Sequence, residues 1–202
     1  GSLTELNIGH LTELRDAFLW GQTGVIELDV TNLTKLTRLD IGNMGVASLN
    51  LTNLVNLQDL GIAYTSINNL DFSALQSLSS LNVEGVEQSF VPWSQVYHIS
   101  DLAIGGANYT SFDFSPFTSL ARLQMSQSGI SDLSSIANPE LILSLDLFNN
   151  YQLEQLNISE MTSLYWLQVN NSPITTLDFS NNSNLTNVYL RQNALETISG
   201  IE

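Results

Sequence analysis

The chain has 202 residues, of which 43% are hydrophobic, and its 20 acidic residues against five Lys and Arg give a net charge of −15. This length suffices for one domain with a continuous core, and the acidity disfavours nucleic acid and anionic lipid as partners because both are negatively charged. The absence of cysteine excludes disulfides and thiolate metal sites, and no apolar run is long enough to span a bilayer.

A pattern of three apolar residues recurs along the whole chain, as in Leu57-x-x-Leu60-x-Ile62. Its first residue, here called the anchor, returns every 21 or 22 residues. A period in this range predicts a solenoid of stacked coils, and the alternation that closes each pattern predicts a short strand. The nine anchors are Leu14, Leu36, Leu57, Leu78, Ile99, Leu120, Ile142, Leu164 and Leu185.

The second half of most repeats contains an apolar–polar–apolar triplet, such as Leu70-Asp71-Phe72, thirteen or fourteen residues after the anchor. Between one triplet and the next anchor, apolar residues stand three apart, as in Leu51, Leu54 and Leu57. We interpret the apolar residues that stand three apart as inward-facing corners of a coil, and the triplets as extended segments on its sides. Neither half can bury its apolar row alone, so each coil needs stacked neighbours.

A side-chain amide often stands seven residues after the anchor, as at Asn43, Asn149 and Asn171, with Gln127 as a near equivalent. Buried backbone groups at a bend need hydrogen-bond partners. We therefore expect these amides to bond the backbone of the bend and to stack from coil to coil. Tyr64 and several glycines replace the amide elsewhere, so the predicted ladder is broken.

Residues 86–98 lack the usual triplet and carry Val91-Pro92-Trp93 in its place. Because proline cannot donate a backbone hydrogen bond, any outer ladder is interrupted here. Two interpretations remain open: a local projection that contacts a partner, or a tolerated defect in which Trp93 fills the core.

The repeated Leu-x-x-Leu-x-Ile/Leu-x-x-Asn followed by a Leu-Asp-Phe/Val-Ser half resembles the leucine-rich repeat, most closely the internalin-J type of bacterial surface proteins. The stretch 164–190, LYWLQVNNSPITTLDFSNNSNLTNVYL, matches best. The resemblance implies a curved right-handed coil, mostly β, with parallel strands on the concave side and short extended or turn segments on the convex side. That type often carries a core cysteine, which this chain lacks.

Side chains two, four and six residues after each anchor are expected to form three columns on the concave face. Arg38 and Arg122 each have a carboxylate neighbour in the first column, whereas Arg191 has none. Exposed aromatics are unnecessary for the coil, and aromatics and Arg dominate binding hot spots. The predicted ligand-binding residues are Phe148, Trp166, Gln168, Asn170, Tyr189 and Arg191, with Tyr151 and Tyr165 nearby, and Phe18 and Trp20 near the other end.

Three alternatives accompany this site. The C-terminal aromatics could instead pack against a neighbouring repeat or domain. Trp166 and Tyr189 beside amides would also suit a glycan, and a purely structural spacer would use neither. The Asp and Asn row of the triplets could hold calcium, but such residues in tight turns usually bond their own backbone, which we favour.

Catalytic chemistry is not indicated. His10 and His98 lie in different repeats, no glycine-rich phosphate loop follows a strand, and no histidine has metal-ligand spacing. We expect no cofactor and no enzyme activity.

The sequence starts with Gly1-Ser2, typical of a cloning remnant, and neither end carries a polar cap. We therefore expect residues 1–202 to be a single repeat domain of a longer, exported or surface-attached bacterial protein that binds a protein partner through its concave face.

Overall fold

The computed structural model describes residues 3–106 and 109–201, and the predicted cloning remnant at Gly1 and Ser2 lies outside the described residues. The chain divides into two compact units, Gly1–Ile99 (unit 1) and Ser100–Glu202 (unit 2). Each is built from short parallel strands, and the described residues contain no α-helix. Consequently, no helix in the described ranges could cross a membrane.

Unit 1 has a four-stranded parallel sheet in which each strand pairs with the strand of the next repeat, in the order β2, β4, β5, β6. A separate parallel pair joins β1 to β3. Two short 3₁₀ turns follow, at Gln88–Phe90 and Trp93–Gln95. The strands are β1 Glu5–Leu6, β2 Asp16–Phe18, β3 Glu27–Leu28, β4 Arg38–Asp40, β5 Asp59–Gly61 and β6 Ser80–Asn82.

Unit 2 repeats this arrangement with a five-stranded parallel sheet in the order β7, β8, β9, β10, β12 and a separate pair of β11 with β13. One 3₁₀ turn covers Pro139–Leu141. The strands are β7 Asp101–Gly105, β8 Arg122–Ser126, β9 Ser144–Phe148, β10 Trp166–Asn170, β11 Thr176–Asp178, β12 Asn187–Tyr189 and β13 Thr197–Ser199. The predicted solenoid of about nine turns is thus confirmed.

The leucines that stand three apart lie at the corners of successive tight turns, as predicted. Leu54 N donates to Leu51 O and Leu57 N donates to Leu54 O, each at 3.0 Å. Because each turn closes after three residues, every third side chain points inward, and these three leucines are at most 2% exposed. The same turns recur in unit 2, where Met161 N donates to Ile158 O at 3.0 Å.

The seventh position after the anchor has a different role from the one we expected. It has a left-handed backbone in all nine repeats, with φ between 50° and 59° at the six residues other than glycine. Gly, Asn and, less readily, other residues adopt this conformation, so backbone geometry explains the choice of residue. Only one step of the expected amide ladder forms among the described residues, from Asn171 Nδ2 to Asn149 Oδ1 at 2.9 Å.

The eighth position supplies the polar groups that bond the backbone inside the coil. The side chain of Asn150 is fully buried, and its Nδ2 donates to Met125 O at 2.9 Å. Its Oδ1 accepts from Ser128 N at 3.1 Å and from Ser128 Oγ at 2.8 Å. Two repeats after Asn150, Asn193 makes the same pair of bonds to the repeat before it. Its Nδ2 donates to Val169 O and its Oδ1 accepts from Ser172 N.

Among the described residues, the second halves of the repeats pair as strands only in β1–β3 and β11–β13. In two other repeats, a side chain of the next repeat accepts a hydrogen bond from a triplet N–H. Phe72 N donates to Gln95 Oε1 at 2.6 Å in unit 1, and Phe114 N donates to Ser135 Oγ at 3.1 Å in unit 2.

At the irregular repeat in unit 1, the core is filled by Val91 and Val96, which are 4% and 0% exposed. Trp93 is half-buried, and its indole Nε1 donates to Gln88 O at 3.1 Å. The expectation that Trp93 fills the core is therefore wrong, because the two 3₁₀ turns direct the smaller valines inward instead.

Replacing Asn150 with alanine should lower the free energy of unfolding by about 3 kcal/mol, since it leaves two buried backbone groups of the preceding repeat, Met125 O and Ser128 N, without partners. Urea denaturation followed by circular dichroism measures this. Asn43→Gly is the matched control: Asn43 is exposed at φ 56° with no side-chain hydrogen bond among the described residues, so glycine should change stability by less than about 0.5 kcal/mol. Equal effects of the two substitutions would contradict the assignment of the buried amide to position eight.

Candidate functional site

The predicted columns are present in each sheet. In unit 2, Trp166 lies between Ser144 and Asn187, and Gln168 lies between Asp146 and Tyr189. In unit 1, Arg38 lies between Asp16 and Asp59. We call the side chains two, four and six residues after the anchors the strand face, and we describe it separately for each unit.

The strand face of unit 1 holds Phe18 and Trp20, which are 61% and 65% exposed. Phe18 lies opposite Asp40 on the neighbouring strand. On the following strands, few large side chains project from this face, because Gly42, Gly61 and Ala63 have little or no side chain. A Cβ at Gly61 would lie 2.8 Å from Asp40 Oδ1, so a larger residue there would displace the Asp40 carboxylate.

The strand face of unit 2 holds the other six predicted residues. The rings of Trp166 and Tyr189 lie with centroids 5.0 Å apart and planes tilted by 44°. They are diagonal neighbours on β10 and β12, because Trp166 pairs directly with Asn187 and Tyr189 pairs with Gln168. Each ring covers part of the other, so both are half-buried. Two strands thus hold an aromatic pair in one geometry.

The sixth-position column of unit 2 contains Phe148, Asn170 and Arg191. Phe148 is 39% exposed and lies opposite Asn170. Asn170 is only 7% exposed, and its Oδ1 accepts from Arg191 N at 2.7 Å. Asn170 therefore orients the backbone that carries Arg191 and offers a partner little surface of its own.

Arg191 differs from the other strand-face arginines in its partners. Arg38 bonds Asp16 and Arg122 bonds Asp101, each at 2.9 Å, which confirms the expected in-column pairs. The Asp101 carboxylate and, next, the Tyr165 hydroxyl raise the pKa of Arg122. Within residues 3–106 and 109–201 the exposed Arg191 guanidinium has no ion-pair or hydrogen-bond partner.

Charge is unevenly distributed over unit 2. Its residues 100–202 include ten Asp and Glu but only two basic residues, Arg122 and Arg191, which gives a net charge of −8. Both arginines lie on the strand face, where they balance Asp101 and Asp146. The strand face of unit 2 is therefore neutral within an anionic unit.

The Asp and Asn residues of the triplets bond their own backbone, as the sequence favoured. In each, the side-chain oxygen accepts from the backbone N–H two residues on, for example Ser180 N to Asp178 Oδ1 at 3.0 Å. Asp132, in a repeat without a triplet, forms the same turn, with Ser134 N donating to its Oδ1 at 2.7 Å. We call this set the Asx row; it consists of the triplet residues Asp29, Asn50, Asp71, Asp113, Asn157 and Asp178 together with Asp132.

The pKa values of the aspartates in the Asx row are lowered by these bonds. For Asp29, Asp113, Asp132 and Asp178 the hydroxyl two residues on contributes most, and for Asp71 the Ser73 N–H does. The carboxylates are thus already committed to local turns. The part of the chain that the structure describes contains no group of three or more His, Cys, Asp or Glu that could hold a metal ion.

Two features of unit 2 were not found from the sequence. The buried amides at position eight were missed because Met44, Thr65 and Val86 occupy the same position in unit 1 and hide the repeat. The second feature is an uncharged groove beside Tyr151, formed where the chain leaves the strands. The adjacent amides Asn149, Asn171 and Gln192 were its only sequence signal.

Parallel strands at an interval of 21 or 22 residues, leucine corners and, at Asn150, a buried Asn after the strand are features of the leucine-rich-repeat fold. Neither a protein-family model nor a curated protein matches the chain. Among solved structures, it is similar to a functional domain of InlJ from Listeria monocytogenes, described as including a cysteine ladder, with 22% identity and a TM-score of 0.73 over 97% of this chain. It spans only 43% of that InlJ chain.

Two further solved structures have the same fold. An internalin of Listeria monocytogenes, InlF, is 23% identical with a TM-score of 0.54, covering 95% of this chain and 75% of its own. A leucine-rich-repeat protein of Leptospira interrogans is 19% identical with a TM-score of 0.56, covering 97% and 54%. This chain has no cysteine. Among the described residues of unit 2, the polar side chains buried inside the coil include Asn150, Ser128, Ser172 and Asn182.

Acid should destabilise the wild type relative to a variant in which the five aspartates of the Asx row become asparagine. A carboxylate with a lowered pKa contributes stability above its unfolded pKa of about 3.9, and this is lost as pH falls through the folded pKa. Asparagine keeps the turn, as Asn50 and Asn157 show, without titrating.

Urea midpoints between about pH 5 and about pH 2.5 test this. The matched control removes five exposed carboxylates outside the row and changes the charge equally. It carries Gln in place of Glu27, Glu140, Glu154, Glu160 and Glu196. If both variants follow the same pH dependence, the Asx row does not carry the effect.

Proposed function

We propose that residues 1–202 form one leucine-rich-repeat domain that serves as a non-enzymatic binding module of an exported or cell-surface bacterial protein, and that its ligand is a protein. The observation that carries the proposal is the strand face of unit 2, where the Trp166–Tyr189 pair, Phe148 and the unpaired Arg191 share a neutral surface in a unit of charge −8. Phe18 and Trp20 offer a second exposed aromatic contact in unit 1.

The physical argument is preorganisation. Trp166, Gln168 and Tyr189 project from paired strands, and the Arg191 backbone is bonded to Asn170. A partner would therefore meet side chains that lose little conformational freedom on contact. Fully ordered aromatic and Arg residues near the centre of an interface are those that contribute most to affinity.

The charge distribution favours the same surface. A neutral strand face lets apolar contact form without burying unpaired carboxylates, which would be costly. The acidic remainder of unit 2 would attract partners with a basic rim and speed their encounter. Binding should then weaken as salt rises, since exposed charges are screened over about 10 Å at 0.1 M salt.

The tilt of the aromatic pair favours protein over glycan here. At 44° the two rings do not form a flat platform, whereas a sugar ring stacks best on an open aromatic face. A bent aromatic surface suits apolar side chains of a protein. The internalin-like neighbours support an extracellular setting, which a secretion signal in the full-length gene would test.

The combined change Trp166→Ala and Tyr189→Ala should weaken partner binding about thirtyfold, since a hot spot contributes about 2 kcal/mol or more. Host or envelope proteins retained on the immobilised chain are identified by quantitative mass spectrometry, and affinity is then measured with the purified partner. Arg191→Glu should weaken binding too, because a carboxylate cannot donate the hydrogen bonds of the guanidinium.

The control changes two exposed aromatics outside the strand face, Phe90→Ala and Tyr97→Ala, which are 41% and 37% exposed. This variant should bind as the wild type does. Should the strand-face variant retain every partner at unchanged affinity, the domain acts as a spacer and the proposal fails.

A further inference from the structure

A shallow groove of about 370 Å³ lies in unit 2 beyond the carboxyl ends of the last strands. Three consecutive repeats line it, through Tyr151, then Asn171 to Pro173, and then Gln192 to Ala194. It is separate from the strand-face residues of the proposed protein-binding surface, none of which lines it.

The groove is uncharged. No Asp, Glu, Lys or Arg lines it, although unit 2 has a net charge of −8. Its lining combines apolar surface from Pro173, Ala194 and the Tyr151 ring with amide groups of Asn171, Gln192 and Asn193. This composition disfavours ions as ligands and favours a neutral molecule with both apolar and hydroxyl surface.

The floor of the groove is held in place by hydrogen bonds. Asn171 bonds Asn149 through its side chain and Arg191 O through its backbone N–H, at 2.9 and 3.0 Å. Asn193 bonds Val169 O and Ser172 N, at 2.6 and 3.0 Å. Asn171 and Gln192 also have left-handed backbones, with φ of 55° and 56°, so the bend cannot relax without breaking this network.

The walls, in contrast, carry groups that are available. Tyr151 is 66% exposed and has neither a ring contact nor a hydrogen-bond partner in the described ranges. Gln192 is exposed, and its amide likewise has no partner among residues 3–106 and 109–201. An amide offers both donors and an acceptor, as a pair of adjacent sugar hydroxyls requires.

We propose that this groove binds a neutral saccharide. The open face of the Tyr151 ring would carry the C–H face of a pyranose, because the negative face of an aromatic ring attracts such hydrogens. The Gln192 amide and the Tyr151 hydroxyl would bond sugar hydroxyls at the rim. We therefore assign glycan binding to Tyr151, whose ring contacts no other ring among the described residues. We do not assign it to Trp166 and Tyr189, whose rings partly cover each other.

Saturation-transfer NMR with cellobiose, maltose and N,N′-diacetylchitobiose tests the proposal, with N-acetylneuraminic acid as the charged comparison. At least one neutral disaccharide should receive saturation and the acidic sugar none. Tyr151→Ala and Ala194→Arg, at exposed wall positions, should each weaken binding by about tenfold or more, whereas Tyr151→Phe should keep most of it.

The strand-face variant Trp166→Ala with Tyr189→Ala is the matched control and should bind the sugar unchanged, so the two proposals fail independently. Urea midpoints confirm that each variant is folded. The inference is overturned if none of the three disaccharides binds, if binding survives both wall substitutions, or if a polyproline peptide binds in a Tyr151-dependent way in place of the sugars.

Discussion

The structure depends on the bonds that each repeat makes to the next. The carbonyl after each anchor accepts two backbone N–H groups of the following repeat: Arg15 O accepts from Thr37 and Arg38, at 2.7 and 3.0 Å. In unit 2, Tyr165 O accepts in the same way from Thr186 and Asn187, at 3.0 and 3.1 Å. A repeat in isolation would lose these bonds and expose its leucine corners, so stability is a property of neighbouring repeats taken together. Within each unit, this coupling also fixes each strand-face side chain relative to the one on the next strand.

Much of the fold could be predicted from the sequence because the buried positions recur at the same 21- or 22-residue spacing as the leucines in the sequence. The anchors place the nine strands of the two main sheets, each beginning two residues after its anchor, and the leucines three apart lie at the corners of turns. The bend could not be interpreted as easily. Asn at position seven fits a left-handed backbone, whereas Asn at position eight supplies hydrogen bonds inside the coil. The sequence shows Asn in both places and does not distinguish the two roles. Asn149 and Asn150 illustrate this, since only Asn150 is fully buried. Val91 could not be distinguished from Trp93 as the core residue, because local 3₁₀ turns decide which points inward.

The candidate site was predictable in its columns but not in its contacts. Periodicity puts Trp166 and Tyr189 on adjacent strands, yet their 44° tilt depends on the rotamers of two large side chains. Asn170 was expected to face a ligand, but the hydrogen bond to Arg191 N turns its amide inward. The groove beside Tyr151, in contrast, forms where left-handed bends of three repeats stack on one another. No single residue type in the sequence predicts such a groove.

Electrostatics explains how an acidic repeat can still offer contact surfaces. The seven residues of the Asx row direct their side chains to the local backbone, and five of them are carboxylates whose pKa is lowered there. Their charge therefore stays in solvent and away from both surfaces of unit 2, one balanced by its arginines and the other without charged residues. Repulsion between like copies keeps the molecule dispersed, while apolar contact remains possible at the two places where charge is absent or cancelled. One surface presents two partly covered rings and an unpaired guanidinium, and the other presents an exposed Tyr151 ring with amides, so the two surfaces differ in their chemistry.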